Sequence, residues 1–137
     1  MKNKYKVLII GLGNIGMLYD QNKGNNKYFL SHIKSFISIS DFEVVGGVDT
    51  NKNRLNLLEK EYKIKPFSEI KVATQKTKPH IVVISTPTET HKNIINLIKN
   101  FDINIILCEK PISYNLIDAE KILRDLRVRG IKFFVNY

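Results

Sequence analysis

Apolar residues in this chain fall in short unbroken runs separated by longer amphipathic stretches. Tyr5–Ile10, Phe42–Val48, His80–Ser85, Asn104–Cys108 and Ile131–Asn136 are rich in Val, Ile, Leu and Phe. A run with no polar alternation reads as a strand covered on both faces, as in a parallel sheet. Lys65–Phe67 reads as a shorter strand. Between the runs the period changes to that of a helix. Ser31–Ile39 places Ile33, Phe36 and Ile37 on one side, and Asn51–Tyr62 does so with Leu55, Leu58 and Tyr62. Ser68–Lys76 turns Ile70 and Ala73 inward. A helix capped by Thr88 or Thr90 runs to about Asn100 and buries Ile94, Ile95, Ile98 and Phe101. Asn115–Arg129 aligns Leu116, Ala119, Leu123 and Leu126. It also carries the fullest end signals: Asn115 as cap, Asp118 and Glu120 near the start, Arg124, Arg127 and Arg129 near the end, and Gly130 as the stop. Strand and helix alternating in this way predict an α/β fold: a Rossmann-like, doubly wound parallel sheet of about six strands in three layers.

The first run ends in Gly11, Gly13 and Gly16, the spacing G-x-G-x-x-G, with a helix expected from near Asn14. Gly11 lets the chain turn off the strand. Gly13 lets a pyrophosphate approach the backbone, and Gly16 lets the helix pack closely. Free N–H groups and the positive end of that helix then face the phosphates. On its own this spacing is a weak sign. The stretch Tyr19–Leu30 is polar and Asn-rich, contains Gly24, and reads as a loop inserted into or after the helix. Asp49 ends the second strand, where a carboxylate accepts hydrogen bonds from both hydroxyls of an adenosine ribose. It follows Gly11 by 38 residues, against about 20 in the usual pattern, and the inserted loop accounts for most of the excess. Asp49 also suits a simpler role as cap of the helix from Asn51. As a ribose ligand it favours NAD over NADP, because a 2′-phosphate would meet its charge.

Composition adds limits more than functions. The 137 residues are 43% hydrophobic and 26% charged, as in a globular domain. The net charge of +9 is spread over both halves. No basic stripe with interleaved aromatics is present, which argues against a nucleic-acid partner. No apolar stretch is long enough for a membrane span. No metal is called for. Cys108, the only cysteine, sits in an apolar run and reads as a buried hydrophobe. A reducing cytoplasm is the expected home.

Two later turns carry the family. Thr86-Pro87-Thr88-Glu89-Thr90-His91 follows the strand His80–Ser85, and Glu109-Lys110-Pro111 follows Asn104–Cys108. In that order after the glycine turn and Asp49, these motifs resemble the Gfo/Idh/MocA family of sugar oxidoreductases, over essentially the whole chain. The resemblance implies NAD as cofactor. Gly11, Gly13 and Gly16, with the backbone of Asn14 and Ile15, would hold the pyrophosphate. Asp49 would hold the ribose, with Thr50 and Arg54 flanking the adenine. Thr86 and Pro87 would line the cofactor, His91 would start the helix behind, and Glu109 and Lys110 would lie near the nicotinamide. Lys110 is the catalytic candidate, and Asn136 is a candidate for the nicotinamide side. His32, in or next to the inserted loop, is given no role.

Family members are usually more than twice this length. Residues 1–137 are therefore expected to be the dinucleotide-binding domain, with the substrate half and its catalytic histidine absent. The whole enzyme would pass hydride between the nicotinamide and a hydroxyl of a sugar, nucleotide sugar or cyclitol. It would work as a homo-oligomer, and this piece alone would be inactive. Two other readings compete. A methyltransferase would carry an acidic residue where Ile9 stands. A non-catalytic nucleotide-binding redox sensor shares the glycine turn but needs no lysine at Lys110.

Overall fold

The computed structural model describes residues 3–21 and 28–137. The middle of the expected loop, residues 22–27 with Gly24, lies outside the described residues. Six strands form one parallel sheet: β1 (Tyr5–Ile10), β2 (Phe42–Val48), β3 (Pro66–Phe67), β4 (Ile81–Ile84), β5 (Ile105–Glu109) and β6 (Lys132–Asn136). Their spatial order is β3-β2-β1-β4-β5-β6. The chain moves outward from β1 in one direction through β2 and β3, then crosses back and moves outward in the other from β4. That reversal makes the gap between the carboxyl ends of β1 and β4 a topological switch point, the place where such sheets bind ligands.

The helices are α1 (His32–Ile37), α2 (Lys52–Leu57), α3 (Ile70–Thr77), α4 (Thr88–Ile98) and α5 (Leu116–Val128). They cover both faces, which explains the unbroken apolar runs. Leu8 and Ile10 of β1 enter the core under α3, α4 and α5, with Ala73, Ile94, Ile95, Ile98, Ile122 and Leu126. Val7 and Ile9 enter the opposite core, with Ile33 of α1 and Leu58 just after α2. Each such Val, Leu or Ile side chain, fully removed from water, contributes about 1.5–3 kcal/mol.

The structure departs from the sequence reading in several places. No α-helix starts at Asn14: turns lead into a single 3-10 turn at Leu18–Asp20. The helix is interrupted and then resumed. The N–H of His32 donates to the Ile15 carbonyl at 2.9 Å, and that of Ile33 to the Gly16 carbonyl at 3.1 Å. These are the bonds a helix would make four residues on, made here seventeen residues on. Thirteen residues are thus spliced into the helix without shifting its ladder. The splice is closed at its base by Asp20, which is buried. Asp20 accepts hydrogen bonds from the N–H groups of Leu30 and Ser31 and from Ser31 Oγ. Ser31 Oγ in turn caps α1.

On α5 the inward face is Ala119, Ile122 and Leu126, while Leu116 and Leu123 are exposed. The Leu116/Leu123 stripe was the wrong one of two neighbouring apolar stripes. Ile37 is likewise half exposed. At α4 neither Thr88 nor Thr90 caps: the capping position is Pro87, with no side-chain bond. At α2 the cap is Asn51, whose side chain accepts from the N–H groups of Asn53 and Arg54; Asp49 is therefore not the cap. The end of the expected helix, Leu58–Tyr62, is a π turn that still packs Leu58 and Tyr62 on the sheet.

Candidate cofactor site

A cleft of about 1120 Å³ opens at the switch point. It is lined by Gly11, Gly13, Asn14, Ile15, Asp49, Thr50, Arg54, Thr86 and Pro87, among others. These nine predicted residues come from the turns after β1, β2 and β4 and the first turn of α2. Gly16, His91, Glu109 and Lys110 do not line it.

Each glycine has its own reason. Gly11 takes φ +93°, and a Cβ there would lie 2.6 Å from the Ser85 carbonyl oxygen. At Gly16 a Cβ would lie 2.1 Å from the Gly11 carbonyl oxygen, so its task is to let the turn fold onto itself. At Gly13 a Cβ would meet only Arg54 Nη1, at 3.8 Å. The space above Gly13 is open cleft, which is what close approach by a pyrophosphate requires. Among the described residues, the N–H groups of Gly13, Asn14, Ile15 and Gly16 have no acceptor. Four adjacent unpaired donors form a cradle for an anion. The residues present therefore fit the dinucleotide.

Ser85 has a role that the motif spacing does not state. It is buried at the end of β4, and its hydroxyl lies 2.8 Å from the Gly11 carbonyl oxygen and 3.2 Å from that of Ile10. It fastens the glycine turn to the neighbouring strand. One polar residue closing an apolar run is the only sign of this in the sequence.

Asp49 is more occupied than a ribose ligand alone would be. Its Oδ2 accepts from the N–H of Leu12 at 2.8 Å and from Arg54 Nη1 at 3.3 Å. Its Oδ1 accepts from the N–H of Asn51 at 2.8 Å. A carboxylate offers about four acceptor positions, so a ribose hydroxyl still has one. Asp49 thus ties the glycine turn to the head of α2. Arg54 places positive charge beside it, which weakens its bias against a 2′-phosphate.

His91 does not face the cleft. It is wholly buried, with Nε2 2.9 Å from the Thr86 carbonyl oxygen and Nδ1 3.1 Å from that of Pro111. It holds the turn after β4 against the turn after β5, so its reach to a cofactor is indirect. Cys108 is buried beside it, 3.4 Å from Nδ1. Burial, and then the charge of Glu109, pushes the Cys108 thiol up to about 12.

Glu109 and Lys110 stand one strand further out, at the end of β5. Lys110 is exposed and precedes Pro111 through a cis peptide bond. Glu109 is partly buried, and its Oε1 accepts from His32 Nε2 at 2.6 Å and from Asn136 Nδ2 at 2.8 Å. Nothing local in the sequence points to the His32 contact, because the partners are 77 residues apart and His32 follows a polar stretch.

Fold and site together define a dinucleotide-binding Rossmann domain. The chain belongs to the Gfo/Idh/MocA oxidoreductase family: the family profile "Oxidoreductase family, NAD-binding Rossmann fold" matches residues 5–137. No curated protein matches the sequence. Among solved structures, the chain is similar to a myo-inositol 2-dehydrogenase from Lactobacillus plantarum, with 18% identity and a TM-score of 0.79, covering 98% of this chain and 36% of that one. It is similar to an oxidoreductase from Agrobacterium radiobacter in complex with NAD+, L-tartaric acid and magnesium, with 17% identity and a TM-score of 0.80, covering 98% and 35%. A third is the WlbA dehydrogenase from Chromobacterium violaceum in complex with NADH and UDP-GlcNAcA, with 15% identity and a TM-score of 0.79, again covering 98% and 35%. At these identities the likeness concerns the fold. The chain spans little more than a third of each of these proteins. Among the described residues no helix is long and apolar enough to cross a membrane.

Proposed function

We propose that the chain is the nucleotide-binding part of an NAD-dependent oxidoreductase acting on a hydroxyl of a sugar, nucleotide sugar or cyclitol. One observation carries the reading: the open space above Gly13, with the unpaired N–H groups of the cleft-lining Gly13, Asn14 and Ile15, at the switch point of the sheet. The substrate class is supported by the myo-inositol and UDP-sugar named for two proteins of similar fold.

In this reading the N–H groups of Gly13–Gly16 hold the pyrophosphate. Asp49 accepts from the adenosine ribose, with Thr50 and Arg54 beside the adenine. The second half of the dinucleotide extends the other way across the switch point, past Thr86 and Pro87 toward the end of β5. When bound, the nicotinamide supplies the two-electron chemistry. Lys110, exposed at that end, orients a substrate hydroxyl and stabilises negative charge developing on its oxygen. A lysine so placed favours an enzyme over a redox sensor.

The test is titration of the chain with NADH, followed by fluorescence, with sugar alcohols and nucleotide sugars then added with NAD to the same preparation. Saturable binding without turnover is expected, because the substrate-binding half of such enzymes is a separate domain in this reading. Absence of binding at millimolar NADH would overturn the cofactor site.

A further inference from the structure

We infer that His32 is a positioning residue for the nicotinamide end of the site, acting through Glu109 together with Asn136. Three elements far apart in sequence converge on one carboxylate oxygen: the head of α1, the end of β5 and the end of β6. His32 is buried, with 8% of its surface exposed. Its Nε2 lies 2.6 Å from Glu109 Oε1, and Asn136 Nδ2 donates to the same oxygen at 2.8 Å. A carboxylate only accepts, so Nε2 is the protonated nitrogen in this contact. Both partners use Oε1, and among the described residues Oε2 has none. The glutamate is held by one oxygen and keeps the other for a ligand.

Position assigns that ligand. The adenosine side of the cleft lies over β2, where Asp49 stands, and the glycine turn lies over β1. A dinucleotide crossing the switch point places its other ribose and its nicotinamide over β4 and β5, where Glu109 ends the strand and Lys110 follows it. Glu109 is an acceptor for a nicotinamide ribose hydroxyl or the carboxamide N–H₂ group. Fixing its rotamer in advance spares the complex the cost of ordering it.

The splice gives this arrangement its register. Because His32 and Ile33 continue the helical ladder begun at Ile15 and Gly16, His32 sits where the next turn of an unbroken helix would put it.

The inference rests on the cofactor reading above, and its test separates the two. ADP carries the adenosine and pyrophosphate part of the cofactor but neither the second ribose nor the nicotinamide. Affinities for NADH and ADP are measured for the parent chain, His32→Ala, His32→Gln and Asn136→Ala, with a thermal melt of each to establish folding. The parent is expected to bind NADH more tightly than ADP. His32→Ala should weaken NADH by about 3–12-fold, the cost of ordering a glutamate that is no longer held in place, and leave ADP within about twofold. His32→Gln, which keeps a donor, should recover most of the loss, and Asn136→Ala should repeat it more weakly. A residue that merely holds the fold would lower both ligands together. That result, or unchanged NADH affinity in folded His32→Ala, would overturn the inference and leave the cofactor reading standing. Should His32→Ala not fold, Asn136→Ala decides by the same comparison. A parent that binds neither ligand would overturn both.

Discussion

At the scale of single residues the three glycines are not interchangeable, although the motif treats them alike. Gly16→Ala puts a methyl group 2.1 Å from a backbone oxygen that cannot move without opening the turn. Overpacking of this kind costs about 3 kcal/mol or more when the obstacle is backbone, and a urea melt should show that loss. Gly13→Val is the contrast. The nearest atom to its Cβ is the end of a long arginine, so stability should stay within about 1 kcal/mol of the parent, as for substitutions away from the packed core. The branched side chain would fill the place of the pyrophosphate, and NADH affinity should fall by more than tenfold. Equal losses of stability in the two variants would refute the distinction. The sequence alone could state the three roles but could not say what Gly16 packs against. It expected a helix on the sheet, and the contact is the carbonyl of Gly11.

At the scale of elements the interrupted helix yields two expectations. Deleting residues 18–30 joins Met17 to Ser31 and puts His32 four residues after Ile15, the spacing of an unbroken helix. The variant should fold within about 1 kcal/mol of the parent, because long loops cost little to close and little to remove. Its far-ultraviolet circular dichroism should show more helix per residue. Failure to fold would mean that the spliced segment is needed for more than connection.

The second expectation concerns Asp20 at the base of the splice. Burial raises its pKa, but the hydrogen bonds from Ser31 Oγ and from the N–H groups of Leu30 and Ser31 outweigh it, and the carboxyl is held below its ordinary value of 3.8. A lowered folded pKa means stability that is fully present above the unfolded value and is lost as pH falls through the folded one. Asp20→Ala should therefore cost about 1–3 kcal/mol at pH 7, the range for a buried, satisfied polar group. The gap to the parent should narrow in urea melts below about pH 4. A gap that stays constant down to pH 3 would show that the carboxylate charge is not what closes the splice.

At the scale of the whole molecule, binding and folding are linked. The cleft is formed by turns after β1, β2 and β4, which come together only in the folded sheet, so a ligand held there stabilises the fold as a unit. NADH at about a hundred times its dissociation constant should add roughly 2.7 kcal/mol. For a chain of this length that raises the melting temperature by about 8 °C. ADP should give a smaller rise at equal concentration. A melting temperature indifferent to both would count against the cleft as the cofactor site.

Most of the architecture was legible along the chain, because a parallel sheet buried on both faces demands unbroken apolar runs, and its helices demand a period near 3.6. The strands at Tyr5–Ile10 and Phe42–Val48, the cap at Asn115 and the stop at Gly130 all follow from local physics. So does the anion cradle, since the G-x-G-x-x-G spacing acts through backbone sterics within six residues. Where two apolar stripes lie side by side, as on α5, only packing against the sheet decides which one is buried. Asp49, expected as a possible cap of α2, is instead turned to the glycine turn through the Leu12 N–H, and Asn51 caps the helix. The meeting of His32, Glu109 and Asn136 is tertiary altogether. No periodicity links residues on three separate elements, and only the folded sheet brings the head of α1 to the ends of β5 and β6.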